Sequence, residues 1–439
     1  NADSCFKSID GGVTWAKTNS VLIATGLGNG QSWYDLTLSV NPSNSHELMA
    51  GGLDAYRSTN DGATWTRTTF WVSTLPYVHA DHHFQQWWNS GGQNRMIIGN
   101  DGGIFYSTNG GTTWVDKNRN LGLKQFYAGK IHPGFGSPYL LAGAQDNGVH
   151  AIRTPGKTYS FEVYGGDGCF VHINQQDPTI QFGSYVYNVY RRSVNGGTNW
   201  TSVTHAADTG MFVNPFDYDD FTNTMYASYA TDRILRWPNA NTSNINNKLT
   251  MSGTGNASCF KVSPHGTNRL FFGTTGGRLY QLNNANTATP ATLSNDLKNI
   301  TGSSFPTSFM NCIAVGTTDD YLVAVFTGFG VNNVWYSSNG GVSWTSIEGN
   351  LPDMPIRWAV INPSDNNKIS LATETGVWQT DMVNGSSTVW APDPTFPTVR
   401  TDMLHIRLSD NTMVAATHGR GLWTGTLQPP APEIRILNP

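Results

Sequence analysis

Apolar and polar residues alternate along this chain in short runs, and clusters rich in Gly, Asn and Asp separate the runs. A period of two marks half-buried strands, because successive side chains of a strand face opposite ways. Residues 33–71 hold one complete cycle: YDLTLSV at 34–40 ahead of Asn41 and Pro42, ELMAGG at 47–52, AYRS at 55–58, then a short closing strand. The cycle returns at about 77–120, 123–164, 166–204, 210–251, 256–296, 308–350 and 354–394, a period of roughly 40 residues. Four short antiparallel strands repeated in this way predict the blades of a β-propeller. Residues 5–20 supply only the last two strands of a blade, and residues 402–428 only the first three. The expectation is therefore an all-β fold: a single large β-propeller of about nine to ten four-stranded blades over residues 1–428, its first and last blades partial. Two smaller propellers in tandem is the competing layout; the absence of a Pro/Ser-rich linker before residue 428 favours one ring. Residues 429–439 read as a linker to a further C-terminal domain.

Five units carry one motif, Ser-x-Asp/Asn-x-Gly-x-Thr/Ser/Asn-Trp, at 8–15, 58–65, 107–114, 193–200 and 337–344. Its Asx residues are Asp10, Asn60, Asn109, Asn195 and Asn339. An Asx side chain bonds nearby backbone and Gly accepts positive φ, so the motif predicts a tight turn with a structural task. In a propeller this turn joins the third and fourth strands, on the face opposite the second–third turns and the links between blades.

Composition agrees with a turn-rich β protein: Gly 47, Trp 15 and 13% charged residues. No apolar run approaches the roughly 18 residues of a membrane span. A net charge of −4 carries no footprint for nucleic acid. The four cysteines, Cys5, Cys169, Cys259 and Cys312, form no CxxC pair, which argues against structural zinc. Cys259 and Cys312 occupy matching places in consecutive units, as a disulfide or as two buried thiols.

Candidate chemistry gathers on the second–third turns and inter-blade links. There the sequence places Asp54, then His79, Asp81, His82, His83 and Asp101, then Gln145, Asp146, Asn147 and Asp167, with Glu374, His418 and Arg420 further on. Loops on a rigid scaffold are where sites are built. As paired carboxylates, Asp101 with Asp146, or Asp146 with Asp167, can act as acid and base on a glycosidic bond. As oxygen donors, Asp146 and Asp167 suit Ca²⁺, whereas His79, His82 and His83 suit a transition metal. The bland alternative is that these acids cap turns and the histidines bridge inner strands. Trp71, Trp87, Trp88, Tyr185, Tyr187, Trp335 and Trp358 are candidates for stacking on a sugar or peptide, with Trp87 and Trp88 expected between the first two strands of their blade.

The motif resembles the Asp-box, or BNR, repeat of sialidases, of xyloglucan-degrading glycoside hydrolases with tandem propellers, and of the ten-bladed sortilin/Vps10 domain. VHADHH (78–83), GNDGGI (99–104), GAQDNG (143–148), GGDG (165–168) and ATHGRGLW (416–423) resemble segments of large secreted BNR/Vps10-like proteins of Bacteroidota, of the type exported by type IX secretion. GNDGGIFY (99–106) also resembles the segment that carries an acid in the xyloglucanase group. A Phe-Arg-Ile-Pro segment is absent, so the resemblance does not extend to sialidase activity. It implies a secreted or outer-surface protein, with residues 433–439 opening a sorting domain. The functional expectation is a binding or scaffold module that recognises a glycan or an extracellular polypeptide over the central opening, without nucleic acid or membrane span. The alternative is a glycoside hydrolase; a sortilin-like protein binder differs from the first reading only in ligand.

Overall fold

The computed structural model describes residues 4–18, 26–72, 76–156 and 160–427. Apart from a one-turn helix at Leu293–Asp296 and a 3-10 turn at Gly385–Ser387, its regular elements are strands in ten antiparallel sheets. Numbered in chain order, sheet one is a ribbon of two strands, Phe6–Lys7 and Ala16–Lys17. Sheets two to nine have four strands each, and sheet ten has three, Thr401–Arg407, Thr412–Thr417 and Leu422–Thr426. Strands follow one another across each sheet in chain order, so every connection is a hairpin. The eight full cycles and two partial ones of the sequence coincide with these sheets. The linker expected at 429–439 lies outside the described residues, as does residue 428.

The chain divides into two compact units, residues 1–123 with sheets one to three and residues 124–439 with sheets four to ten. In the first unit Leu27, Ala50 and Tyr56 pack with Cys5 and Trp65, and Met49, Ala55, Trp87, Met96, Ile98 and Phe105 fill the space between sheets two and three. Trp87 and Trp88 stand within the first strand of sheet three (His82–Ser90), not between two strands as expected. A strand that stays paired through Ser90 carries the alternation past both indoles.

In the second unit the first strands pack against the first strands of neighbouring sheets at every junction but that of sheets five and six. Each pair of adjacent sheets encloses its own apolar cluster. Phe182, Tyr218 and Trp237 join sheets five and six; Tyr226, Phe260 and Phe272 join six and seven; Ile313, Met310 and Phe271 join seven and eight. Val325, Ile356 and Trp390 join eight and nine, and Ala372, Leu404 and Met413 join nine and ten. Each such large side chain, fully buried, contributes about 1.5–3 kcal/mol.

Sheet ten then packs on sheet four. Ile131, Leu140 and Val414 form one cluster, Ser409 Oγ donates to the Pro133 carbonyl (2.8 Å), the Gly136 N–H donates to Asp410 (3.0 Å), and the Gly419 N–H donates to the Lys124 carbonyl (3.2 Å). Seven sheets thus complete a circuit among themselves, propeller-like in arrangement. Phe170 of sheet five and Trp358 of sheet nine meet across it, ring centroids 6.3 Å apart. The ten antiparallel sheets agree with the propeller-like, all-β expectation.

The five Asp-boxes occupy the turns between the last two strands of sheets one, two, three, five and eight. In each, the serine Oγ accepts the N–H of the second residue after the Asx (2.8–3.0 Å), and the Asx oxygen accepts the N–H four residues on (2.9–3.0 Å). That glycine has φ between +78° and +92°, where a side chain is strained. The four cysteines are thiols, and Cys259 and Cys312 are both buried.

Candidate functional site

In each unit the polar residues singled out by the sequence lie on the second–third turns and on the links that lead into first strands. Here this is termed the link face.

In the first unit, Asp101 sits in the turn between Gln93–Asn100 and Gly103–Ser107. Its carboxylate accepts from the Tyr34 hydroxyl at 2.9 Å and lies 2.8 Å from His83 Nε2. The Tyr34 and His83 rings meet edge to face, 4.7 Å between centroids. Trp33, next to Tyr34, is 82% exposed. The result is an aromatic pair beside a carboxylate whose two oxygens are both oriented.

Deeper in the same link lies a pair of acids. Asp35 is fully buried just ahead of the strand Thr37–Asn41, and half-buried Asp81 immediately precedes His82–Ser90 with φ +64°. Gln31 Nε2 donates to Asp35 (3.2 Å) and to Asp81. Each carboxyl also acts on the other. Burial, with the Asp81 charge beside it, pushes Asp35 up to about 6. Burial and the Asp101 charge push Asp81 up as well.

The remaining candidates of this unit pack against its backbone and its charged groups. His82 is fully buried, with Nε2 3.2 Å from the His79 carbonyl, and burial lowers it to about 4. A neutral core imidazole is not presented to a ligand, which removes it from a histidine metal set. The His79 ring lies against Gly102, where any Cβ would come within 2.2 Å of it. Asp54 is buried, bonded by Arg67 and by the Trp71 N–H (3.0 Å).

In the second unit, Gln145, Asp146 and Asn147 form the turn between Leu140–Ala144 and Gly148–Ile152. The Tyr127 hydroxyl donates to Gln145 Oε1 (2.7 Å), and the Asp146 N–H donates to Asp167 Oδ1 (3.1 Å). Burial and then the charges of Cys169, Asp167, Asp146 and Asp402 raise the Tyr127 hydroxyl far above its ordinary value, so it acts only as a neutral donor. Asp402 accepts from Arg400 (2.8 and 3.0 Å) and lies 3.6 Å from His418 Nδ1. Asp167 holds the Asp146 backbone as a turn cap.

Glu374 stands apart in an ion pair with Arg357 (2.8 Å), and Arg420 is exposed. Trp335 is buried between sheets, Trp358 enters the axis, and Tyr187 packs edge-on against Phe212. Trp71 and Tyr185 keep exposed surface.

Sequence reasoning missed Gln31, Tyr34, Asp35, Tyr127 and Asp402. Asp35 and Asp402 each stand at the mouth of a first strand, as Asp81 does, and that shared position was the available signal; no glycine flanks either. A cavity of about 350 Å³ lies instead at the Asp-box side, lined by Arg192, Asn195, Asn199 and Thr242. Arg192 there donates to the Ala240 and Ser243 carbonyls (2.8 and 2.9 Å), so its charge ties sheets together. No protein-family model matches the chain, and no curated protein matches it.

Proposed function

We propose that this chain is a secreted or cell-surface propeller module, a BNR/Vps10-like protein of the type found in Bacteroidota, that binds a glycan on its link face. In this reading the second unit is a seven-bladed propeller. The carrying observation is the group Trp33, Tyr34, His83 and Asp101: an exposed indole and a phenol ring beside a carboxylate already oriented by two donors. Flat apolar rings stack on sugar faces, and fixed polar groups read hydroxyls. The axis of the second unit cannot admit a polymer, since its cavity is only about 20 Å³, so recognition belongs to a face rather than a channel. Calorimetric titration of the chain with xyloglucan oligosaccharides and other plant and algal glycans tests this. Trp33→Ala should weaken binding about tenfold or more, a loss of about 1.4 kcal/mol. Equal affinity in the variant would remove the site, and no heat with any glycan would remove the reading.

A second reading, glycoside hydrolysis, is favoured by Asp35 and Asp81. A carboxyl pushed up to about 6 by burial beside a second acid matches what a general acid needs. In this reading Asp35 and Asp81 stand beside Asp101 and Asp146 as candidate acids. If the chain releases reducing ends from a polysaccharide, Asp35→Asn should lower turnover by about 100-fold or more. Binding without release of reducing ends leaves the module reading alone.

A further inference from the structure

On the Asp-box side of the second unit, a cleft of about 350 Å³ opens between two neighbouring turns. One is the Asp-box of sheet five; the other is the loop 238–246 between the last two strands of sheet six, Arg233–Trp237 and Asn247–Thr250. A space of that size takes a small ligand rather than a few waters. Arg192, Asn195, Asn199, Thr201 and Asn241 line it, and Val194 adds one exposed apolar side chain.

The box of sheet five departs from the other four at its seventh position. There Thr14, Thr64, Thr113 and Ser343 bond their hydroxyls to the side chain of the Asx residue. Asn199 replaces that hydroxyl, and only its N–H reaches the Asn195 oxygen, at 2.9 Å. Among the described residues, Asn195 Nδ2 and the Asn199 side-chain amide therefore make no hydrogen bond, and neither do the Asn241 amide and the Thr201 hydroxyl. Thr201 pairs directly with Arg192 across the last two strands, so both side chains rise on the same face.

Arg192 is fixed at one end only. Its Nη1 donates to the Ala240 and Ser243 carbonyls (2.8 and 2.9 Å), which leaves Nε and Nη2 without a partner among the described residues. That edge is the two-pronged donor that fits a carboxylate. Burial lowers the guanidinium and only the Tyr218 phenol raises it, so no carboxylate acts on its charge. The acids of neighbouring turns are engaged elsewhere, Asp220 with His172 (2.7 Å) and Asp177 with Thr179 (2.6 and 3.1 Å). A second cation, Arg153, donates to the Gly196 carbonyl of the same box (3.2 Å) and adds to the positive field. One oriented cationic fork with neutral amides and a hydroxyl around it suits a ring of hydroxyls that bears one negative group.

We propose that this cleft is a second ligand site, at the opposite ends of the strands from the link face, for a single uronic acid residue of an acidic glycan. The carboxylate lies on the Nε and Nη2 edge of Arg192, and the hydroxyls meet Asn195, Asn199 and Asn241. The site is independent of the link-face group.

Trigalacturonate is the probe. Titrated calorimetrically into the full chain at low ionic strength it should bind, and soaked crystals should show a sugar ring in the cleft with its carboxylate on Arg192. Its methyl ester keeps the hydroxyls but loses the charge, and should bind about tenfold more weakly or worse. Arg192→Lys keeps the charge but loses the fork, and should weaken binding about tenfold. Asn199→Thr restores the hydroxyl of the other boxes; it should weaken binding about threefold or more, with Tm unchanged or raised. Trp33→Ala should leave this affinity unchanged, so the two sites stand or fall separately. No heat with trigalacturonate, equal affinity for its methyl ester, binding of a sulfated galactan oligosaccharide in its place, or unaltered affinity in Asn199→Thr would overturn the proposal. Asn199 lies on an exposed turn, so its variant decides the matter even if Arg192→Lys fails to fold.

Discussion

Asp35 illustrates how burial converts an ordinary acid into a titrating device. Its carboxyl is pushed from 3.8 to about 6 by removal from water, with the Asp81 charge adding to the rise. A raised acid means that folding takes up a proton, so its favourable contribution is complete below about pH 4 and is lost as the pH climbs through 6. Stability measured for the wild type and Asp35→Asn from pH 4 to pH 8 should therefore diverge. The Asn variant is expected to gain about 2 kcal/mol on the wild type, mostly between pH 4 and pH 6. Parallel curves would mean that Asp35 titrates as an exposed carboxyl does. The sequence marked Asp81, His83 and Asp101 as surface chemistry by their setting in turns, and it placed His82 with them. The reversal for His82 has a plain cause. Along a strand alternate residues face opposite ways, and His82 starts the paired segment on the buried side while His83 faces out.

The Asp-box acts at the scale of one hairpin. Asn339 Oδ1 receives the Ser337 hydroxyl and the Ser343 N–H at 2.9 and 3.0 Å, and its amide donates to Ser343 Oγ at 2.8 Å. Ser337 Oγ receives the Gly341 N–H, so four groups of the turn are satisfied locally. Replacing Asn339 with Ala removes one acceptor and one donor from a half-exposed turn and should cost about 1–2 kcal/mol in thermal or urea unfolding. Glycan affinity should be unchanged, because these turns and the link face are on opposite ends of the strands. A loss of affinity without a loss of stability would place the box in the binding site. The motif was legible in sequence because the bonds of its Ser and Asx side chains span two to four residues. Its indoles vary by comparison: Trp65 and Trp200 bond the carbonyl of their own box, whereas Trp344 reaches Ile300 in the preceding sheet.

At the scale of the second unit, closure is carried by sheet ten on sheet four. Arg407, almost wholly buried in its side chain, pairs with Asp410 and reaches the carbonyls of His132 and Ser137, about 270 residues earlier in the chain. A circuit of seven sheets with an apolar cluster at every junction has what an independent domain needs. Residues 124–439 produced alone should unfold in one cooperative transition. Arg407→Ala should destabilise that segment by about 3 kcal/mol or more, since it leaves Asp410 half-buried without its partner. A broad transition in the unaltered segment would show that closure does not stand by itself.

What the sequence by itself determined was everything local: the strands, the four-strand cycle, its eight full and two partial copies, and the Asp-box turns. Each rests on alternation and on side-chain to backbone bonds spanning a few residues, which the order of amino acids states directly. Ring size was decided only in three dimensions. It depends on the packing angle between neighbouring sheets, and the meeting of Lys124 and Ile131 with Gly419 and Val414 leaves no mark in any single repeat. The same holds for the Asp35–Asp81 pair, which joins two links about 46 residues apart, and for the cleft beside Arg192. Burial and long-range partners set their chemistry, and those are properties of the assembled sheets rather than of the chain.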